Sequence, residues 1–315
     1  MQPKPVAVLA GGVGAARFLL GVLDVMPGAS ITVIGNVGDD LEHCGLRISP
    51  DLDTVLYTLA GAIDEERGWG VRNDSTRALD TARALGLEAW FWLGDVDIGL
   101  HLARTAWLGE GLSLSTATGR LAASMGLTVR LLPCTDDRLR TMLSTDDGVL
   151  SFQEYFVRRG HRDAVRAVDF DGAESAMPAP GVVEALGEAS LIVLAPSNPL
   201  LSIGPILAVN GIRAALRGRS ARCVAVSPIV AGAAIKGPAA DMLRSLGHEV
   251  SPVGVADLYS GLLDVMVIDN ADAQHAERIE SLGIEVVVTD TVMRDAAARA
   301  CLARAVLGAA RVPTA

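Results

Sequence analysis

Cysteine, aromatic residues, clustered basic residues and long apolar runs are all scarce in this 315-residue chain, and each scarcity excludes something. The four thiols, Cys44, Cys134, Cys223 and Cys301, lie far apart and form no CxxC pair. That pattern gives neither a zinc knuckle nor a disulfide framework, so reduced thiols in a cytoplasmic protein are expected. No apolar stretch approaches the ~20 residues that a membrane-spanning helix needs. The opening apolar run, Val6 to Ala10, reads as a strand and is too short for a signal peptide. No Lys/Arg cluster stands out and the formal net charge is −10, so neither nucleic acid nor membrane is an expected partner. Aromatics are only 4% of residues while glycines number 33, which suits an α/β fold with tight strand-to-helix turns better than an all-β one.

What is present is a large apolar half and a regular rhythm. Short Val/Ile/Leu runs recur at Val6–Ala10, Ile31–Ile34, Thr128–Leu132, Leu191–Ala195, Cys223–Val226, Val265–Ile268 and Glu285–Thr289. Near-continuous apolar runs of this kind belong to parallel strands buried on both faces. Helical patterns intervene at Ala16–Val25, Ile206–Leu216 and Ala239–Leu246, the last with Gly247 as its C-cap. The expected fold is therefore a doubly wound, mostly parallel, Rossmann-like α/β sheet. From about Leu52 to Gly126 the pattern is helix after helix, with Trp90–Leu93 as the one strand-like run. That stretch is expected to be a mainly helical insertion over the sheet's carboxyl edge, within one unit covering residues 1–315.

Five segments carry candidate chemistry. AGGVGAARFL, Ala10 to Leu19, follows the first strand. Gly11, Gly12 and Gly14 would let the backbone approach a phosphate at a helix N-terminus, and Arg17 one turn on favours an anion. The spacing is not GxGxxG and no GK[ST] follows, so neither a dinucleotide fingerprint nor a Walker loop is supported. A plain tight turn is the other reading. GNVGDDLEHCGLRISPDLDT, Gly35 to Thr54, gathers Asp39, Asp40, Glu42, Asp51 and Asp53 in one loop and helix start. Carboxylates that close repel unless a cation or protons relieve them, and Mg²⁺ takes one or two carboxylates plus phosphate oxygens. Aspartates that merely cap a helix are the alternative.

WFWLGDVDIGLHLART, Trp90 to Thr105, places Asp97 and His101 four apart on a helix face, with Asp95 just before. A metal reading competes with a structural hydrogen-bonded pair. Trp90 and Trp92 alternate as though on one side of a strand, either as core or as a stacking surface for a flat ligand. LAPSNPLLSIGPIL, Leu194 to Leu207, holds Ser197 and Asn198 rigid between prolines at a strand's carboxyl end, where a ribose or phosphate would sit. Ser227-Pro228 repeats the arrangement and Lys236-Gly237-Pro238 adds a cation. Asp136-Asp137 with FQEYFVRR, Phe152 to Arg159, either lines an acceptor pocket or is a capping pair and a core strand. No Ser-His-Asp or Cys-His arrangement appears, so metal-assisted group transfer is favoured over nucleophilic catalysis.

Several of these strings together resemble the 2-phospho-L-lactate transferase family, CofD, called FbiA in actinobacteria. GGVGAARFLLG, NVGDD, SPDLDTVLYTLAG, LGD, LPCTDD, FQEYFV, APSNPLLSIGPILAV and SPIV…KGPA run in order through nearly the whole chain. The resemblance implies a phospholactyl, phosphoenolpyruvyl or phosphoglyceryl transfer from a guanosine diphosphate-linked donor. The acceptor would be the ribityl hydroxyl of the deazaflavin Fo, with GMP released and coenzyme F-420 made downstream. It further implies Mg²⁺ and a homodimer. Carried over, Gly11, Gly12, Gly14, Asn36, Ser197 and Asn198 would hold the guanosine diphosphate part. Asp53 and Trp92 would contact Fo, with Asp39, Asp40 and Asp51 nearby as metal ligands or base. Asp53 or Asp51 is the expected proton acceptor. Relatives often carry a polar or charged residue where Trp92 stands, and an arginine where Val96 stands. A YvcK-like sugar-nucleotide-binding regulator is the alternative, disfavoured by Leu41-Glu42-His43-Cys44-Gly45 after the aspartate pair. An NAD-dependent oxidoreductase ranks third, for want of GxGxxG.

Overall fold

A computed structural model describes residues 4–309. The chain opens with β1 (Val6–Ala10), turns at Gly11 into α1 (Gly12–Leu23) and returns as β2 (Ile31–Gly35). The hairpin β3 (Leu41–His43) and β4 (Leu46–Ile48) leads into α2 (Pro50–Leu59), α3 (Arg77–Ala84), α4 (Asp95–Gly109) and α5 (Leu114–Ser124). After β5 (Arg130–Pro133) come β6 (Arg140–Thr145), β7 (Gly148–Ser151) and β8 (Val165–Asp171). Helix and strand then alternate: α6 (Val182–Glu188), β9 (Leu191–Leu194), α7 (Gly204–Ala208), α8 (Ile212–Arg217) and β10 (Arg222–Val226). The last part holds the hairpin β11 (Ile229–Val230) and β12 (Ala233–Ala234), then α9 (Ala239–Ser245), α10 (Pro252–Leu258) and β13 (Val265–Asp269). It closes with α11 (Ala276–Glu280), β14 (Glu285–Thr289) and α12 (Ala296–Gly308).

Seven strands form one sheet in the order β14-β13-β10-β9-β1-β2-β5, every neighbouring pair parallel. Every residue of β1, β9 and β13 is buried, the burial on both faces that their unbroken apolar runs require. Each such Val, Leu or Ile contributes roughly 1.5–3 kcal/mol on leaving water. Edge strand β14 is half-exposed instead. From β1 the chain winds one way to β2 and β5, and the other way to β9 and β10. The crevice at the carboxyl ends of β1 and β9 is thus the point where winding reverses, where open α/β sheets bind ligands.

All seven expected runs are strands of this sheet, and α2 to α5 occupy the stretch read as helical. Three local readings change. Trp90–Leu93 pairs with no strand and is an extended loop; Trp90 and Phe91 spend their rings on His43, at centroid distances of 5.1 and 6.2 Å. Phe152–Arg159 is not a strand but contains a wide π-helical turn over Glu154–Arg158. Glu154 starts that turn by accepting the Ser151 N–H and hydroxyl, and buried Tyr155 packs with Leu143, Leu201 and Met242. The helix expected over Ile206–Leu216 breaks into α7 and α8, because Gly211 adopts a left-handed φ of 89° between them. A three-stranded antiparallel sheet, β7-β6-β8, also stands where only the aromatic run was singled out.

Candidate active site

A cavity of about 960 Å³ opens over the carboxyl ends of the parallel strands. Its floor is the glycine turn. Gly12, at φ 70°, starts α1, whose own first turn carries no acidic side chain, so its N-terminus suits an anion, with the Gly12 N–H already shared with Asp51. A Cβ on Gly14 would lie 2.3 Å from the Pro196 carbonyl oxygen, so only glycine lets the first and ninth strands' loops close together. Ser197 seals that contact, its hydroxyl donating to the Gly11 carbonyl at 2.8 Å. Asn198 caps the following turn by accepting from the Leu200 and Leu201 N–H groups. That leaves its Nδ2 buried with no partner, a donor free for a ligand. Arg17 lines the cavity and is steadied by the Met293 carbonyl.

The acidic loop divides in two. Asp39 and Asp51 line the cavity, while Asp40 lies outside its lining and accepts the Ser49 hydroxyl at 2.7 Å. Asn36 is fully buried and likewise stands behind the wall. Its Nδ2 donates to Asp51 Oδ2 at 2.9 Å, and its Oδ1 accepts the Gly38 N–H at 2.7 Å, so it aims Asp51. Asp51 in turn sits against the glycine turn: a Cβ on Gly11 would come within 2.7 Å of its Oδ2. Burial raises the Asp51 carboxyl to about 6, although the Asn36 and Gly12 hydrogen bonds pull the other way. Asp39 is pushed well above the usual carboxylate range by burial and then by the Asp51 charge. Asp40 is raised as well, first by burial, while the Ser49 hydroxyl and Arg104 oppose it.

These residues fit a magnesium ion. Two buried carboxylates that repel each other face an anion-binding turn, and their only ligand atoms are the oxygens that Mg²⁺ prefers. Among the described residues no three His, Cys, Asp or Glu side chains gather as a preformed cage. A pair of carboxylates with phosphate oxygens completing the shell is the usual magnesium arrangement.

Helix α4 builds a second network under the cavity. Arg104 is fully buried and grips Asp53 with both η nitrogens, Nη1 to Oδ2 at 3.0 Å. Burial works most strongly against its charge, but Asp53, Asp40 and Tyr57 together outweigh burial and raise the guanidinium above its ordinary value. Arg104 Nη1 also donates to His101 Nδ1 at 3.2 Å, which makes Nδ1 the acceptor and puts the imidazole proton on Nε2. His101 Nε2 lies 3.1 Å from Asp97 Oδ1 but without hydrogen-bond alignment, so proximity rather than a bond describes the pair. Tyr57 donates to the same Asp97 oxygen. Asp53, Tyr57, Asp97 and His101 all reach the cavity. Asp95 does not, and instead anchors the start of α3 through Ser75 and the Ala78 N–H. Asp136 caps the start of α5 by accepting from Ser115, and Asp137 ties down a loop by accepting the Met177 N–H.

Two aromatic walls flank the opening. Trp92 meets Trp69 edge to face at 5.0 Å, with the Arg67 guanidinium 4.6 Å from the Trp92 ring centre. Phe152, Phe156 and His161 stack in parallel at 5.3 Å intervals. Tyr57, Arg67 and Arg104 were not singled out from sequence. Arg104 had a signal: Asp97, His101 and Arg104 fall at helical spacing i, i+4, i+7, a charged stripe on one face of α4. Arg67 had none, because it reaches the cavity from an irregular segment.

The chain is similar to known proteins over nearly its whole length. The family model for 2-phospho-L-lactate transferase CofD matches residues 6–306. A phosphoenolpyruvate transferase of Streptomyces griseus is 46% identical over 285 residues, covering 89% of this chain and 90% of that protein. A 2-phospho-L-lactate transferase of Methanosarcina mazei is 38% identical over 285 residues, covering 90% and 93%. A crystal structure of a UPF0052-family protein from Bacillus halodurans superposes with a TM-score of 0.66 at 18% identity, over 98% of this chain and 99% of that one, a likeness of fold. With its cavity, its anion turn and its paired carboxylates all inside the matched span, the chain belongs to the 2-phospho-L-lactate transferase (CofD) family.

Proposed function

We propose that the chain transfers a phosphoenolpyruvyl group from a guanosine diphosphate-linked donor to the ribityl hydroxyl of Fo, releasing GMP. The observation that carries this reading is Asp51 lying against the Gly11–Gly12 turn inside a cavity large enough for both substrates. The choice of enolpyruvate follows relatives: proteins named phosphoenolpyruvate transferase from Streptomyces griseus and Mycolicibacterium smegmatis are 46% and 41% identical to this chain. The archaeal 2-phospho-L-lactate transferase stands at 38%.

In the proposed mechanism the glycine turn and the free Asn198 Nδ2 bind the donor's diphosphate. Asp39 and Asp51 would hold Mg²⁺, which supplies charge neutralisation on the phosphate oxygens when bound. Asp53 orients the acceptor hydroxyl and takes its proton. Its pairing with Arg104 fixes its direction, which matters because a loose phosphoryl transfer depends on position more than on nucleophilic push. The aromatic wall of Trp69 and Trp92 offers a surface for the flat deazaflavin. Purified protein should be incubated with Fo, Mg²⁺ and the enolpyruvyl, lactyl or glyceryl guanylated donor, and the product masses read. The enolpyruvyl product is expected to dominate. A lactyl or glyceryl product instead would overturn the donor assignment, and no product from any donor would overturn the activity.

A further inference from the structure

We propose that Lys236 is a catalytic residue of this transfer, its ammonium binding the donor's diphosphate on the side of the departing GMP. The inference rests on the transferase reading above and adds to it a residue outside the glycine turn and the carboxylates.

Among the described residues two cations of the cavity lack a carboxylate partner, Arg17, which bonds the Met293 carbonyl, and Lys236. Arg67 is paired with Asp64 at 3.5 Å, and Arg294 with Asp290. Among the described residues Lys236 has no carboxylate within 4.0 Å, although it lines the cavity. Its position is close to the phosphate turn. A Cβ on Gly68 would lie 3.2 Å from Lys236 Nζ and 3.4 Å from Val13 Cγ1, and Val13 stands between Gly12 and Gly14 of that turn. Gly68, at φ 81°, thus packs beside both the lysine ammonium and the first turn of α1.

The support beneath Lys236 is built rather than loose. It follows the hairpin β11–β12, whose turn residue Ala231 holds a left-handed φ of 50°, a conformation disfavoured for a residue with a Cβ. Asp272, buried to 1% exposure, pins that turn by accepting the Ala231 N–H with both oxygens, at 3.1 and 3.0 Å. A strained turn held by a buried carboxylate anchors the hairpin that ends two residues before Lys236. The compact ammonium on its flexible stem then supplies a point charge with three donors, which suits a diphosphate.

The step balances as follows. The acceptor oxygen forms a bond to the phosphorus bearing the three-carbon acid, and the bridging bond from that phosphorus to the GMP oxygen breaks. The electron pair leaves on the GMP phosphate, and the hydroxyl proton passes to a carboxylate. Charge grows on the departing phosphate, where a fixed cation is most effective. Lys236 takes no part in the proton transfer.

Lys236→Met and Lys236→Arg test this, with GDP affinity measured by calorimetry, Fo affinity by its fluorescence, and turnover measured across donor concentrations. Lys236→Met is expected to weaken GDP at least about tenfold and to lower kcat/KM for the donor about a hundredfold, leaving Fo affinity unchanged. Lys236→Arg should restore most of the GDP affinity. Wild-type GDP affinity and donor turnover in Lys236→Met would overturn the assignment. A wild-type protein that makes no product, in which Lys236→Met still loses GDP alone, would support the diphosphate contact and discard the transferase reading.

Discussion

At the scale of single residues, the site combines acids with distinct surroundings. Asp51 and Asp39 face the cavity without a cation, whereas Asp53 is gripped by Arg104. Their roles should separate accordingly. Asp53→Asn keeps the shape but loses the proton acceptor, and turnover measured by product formation should fall at least about a hundredfold. Turnover near the wild-type rate would remove Asp53 from that role. Arg104→Met leaves the Asp53 charge buried and unpaired, which should cost about 3–5 kcal/mol in urea unfolding, while the Asp53→Leu, Arg104→Met pair should regain much of it. Additive losses in that cycle would mean that the two groups act separately. Asp40 looks like Asp39 in the sequence and differs only in direction: it bonds Ser49 behind the wall. No sequence period distinguishes two adjacent loop residues, so that assignment waited for the backbone.

Among the elements, legibility followed periodicity. Strand β1 has the bounds read from its apolar run, because a strand buried between helices has to be apolar along its length, and edge strand β14 keeps its bounds through its Val-Val-Val centre. The loop at Trp90–Leu93 and the π-helical turn at Glu154–Arg158 were misread, since two alternating aromatics suit a strand and an irregular core segment equally. Close helix packing was hidden for another reason. Gly21 of α1 looks like an ordinary helical glycine, yet a Cβ there would lie 2.3 Å from the Arg299 carbonyl on α12. Gly21→Ala should therefore destabilise the protein by about 1–3 kcal/mol through overpacking, against the slight gain that alanine brings to an exposed helix. A thermal or urea midpoint at or above the wild type would show that the two helices part without cost.

For the whole molecule, the parallel sheet delivers loops from β1, β2, β9, β10 and β14 to one edge, and the cavity is their common product. Its electrostatics link stability to pH. Burial raises Asp51 to about 6 and raises Asp39 as well, so in the folded protein both hold protons more tightly than in the unfolded chain. The sign follows: their contribution to stability is present at acid pH and is lost as the pH rises through about 6. Mg²⁺ bound to the same carboxylates competes with those protons. It should raise the thermal midpoint clearly at about pH 8 and little at about pH 5. An equal shift at both would mean that the ion binds elsewhere. Among the described residues no helix is long and apolar enough to cross a membrane.

The sequence by itself determined the parallel architecture and the position of the anion turn. Apolar runs of strand length, each followed by glycine, proline or a polar loop, admit little else once both faces must be covered. The tertiary structure alone decided which acids face the ligand, that Arg104 neutralises Asp53, and that Lys236 comes beside the glycine turn at Gly68. The last two facts join residues from 51 to 223 positions apart, and side-chain direction in irregular loops follows packing rather than any period in the chain.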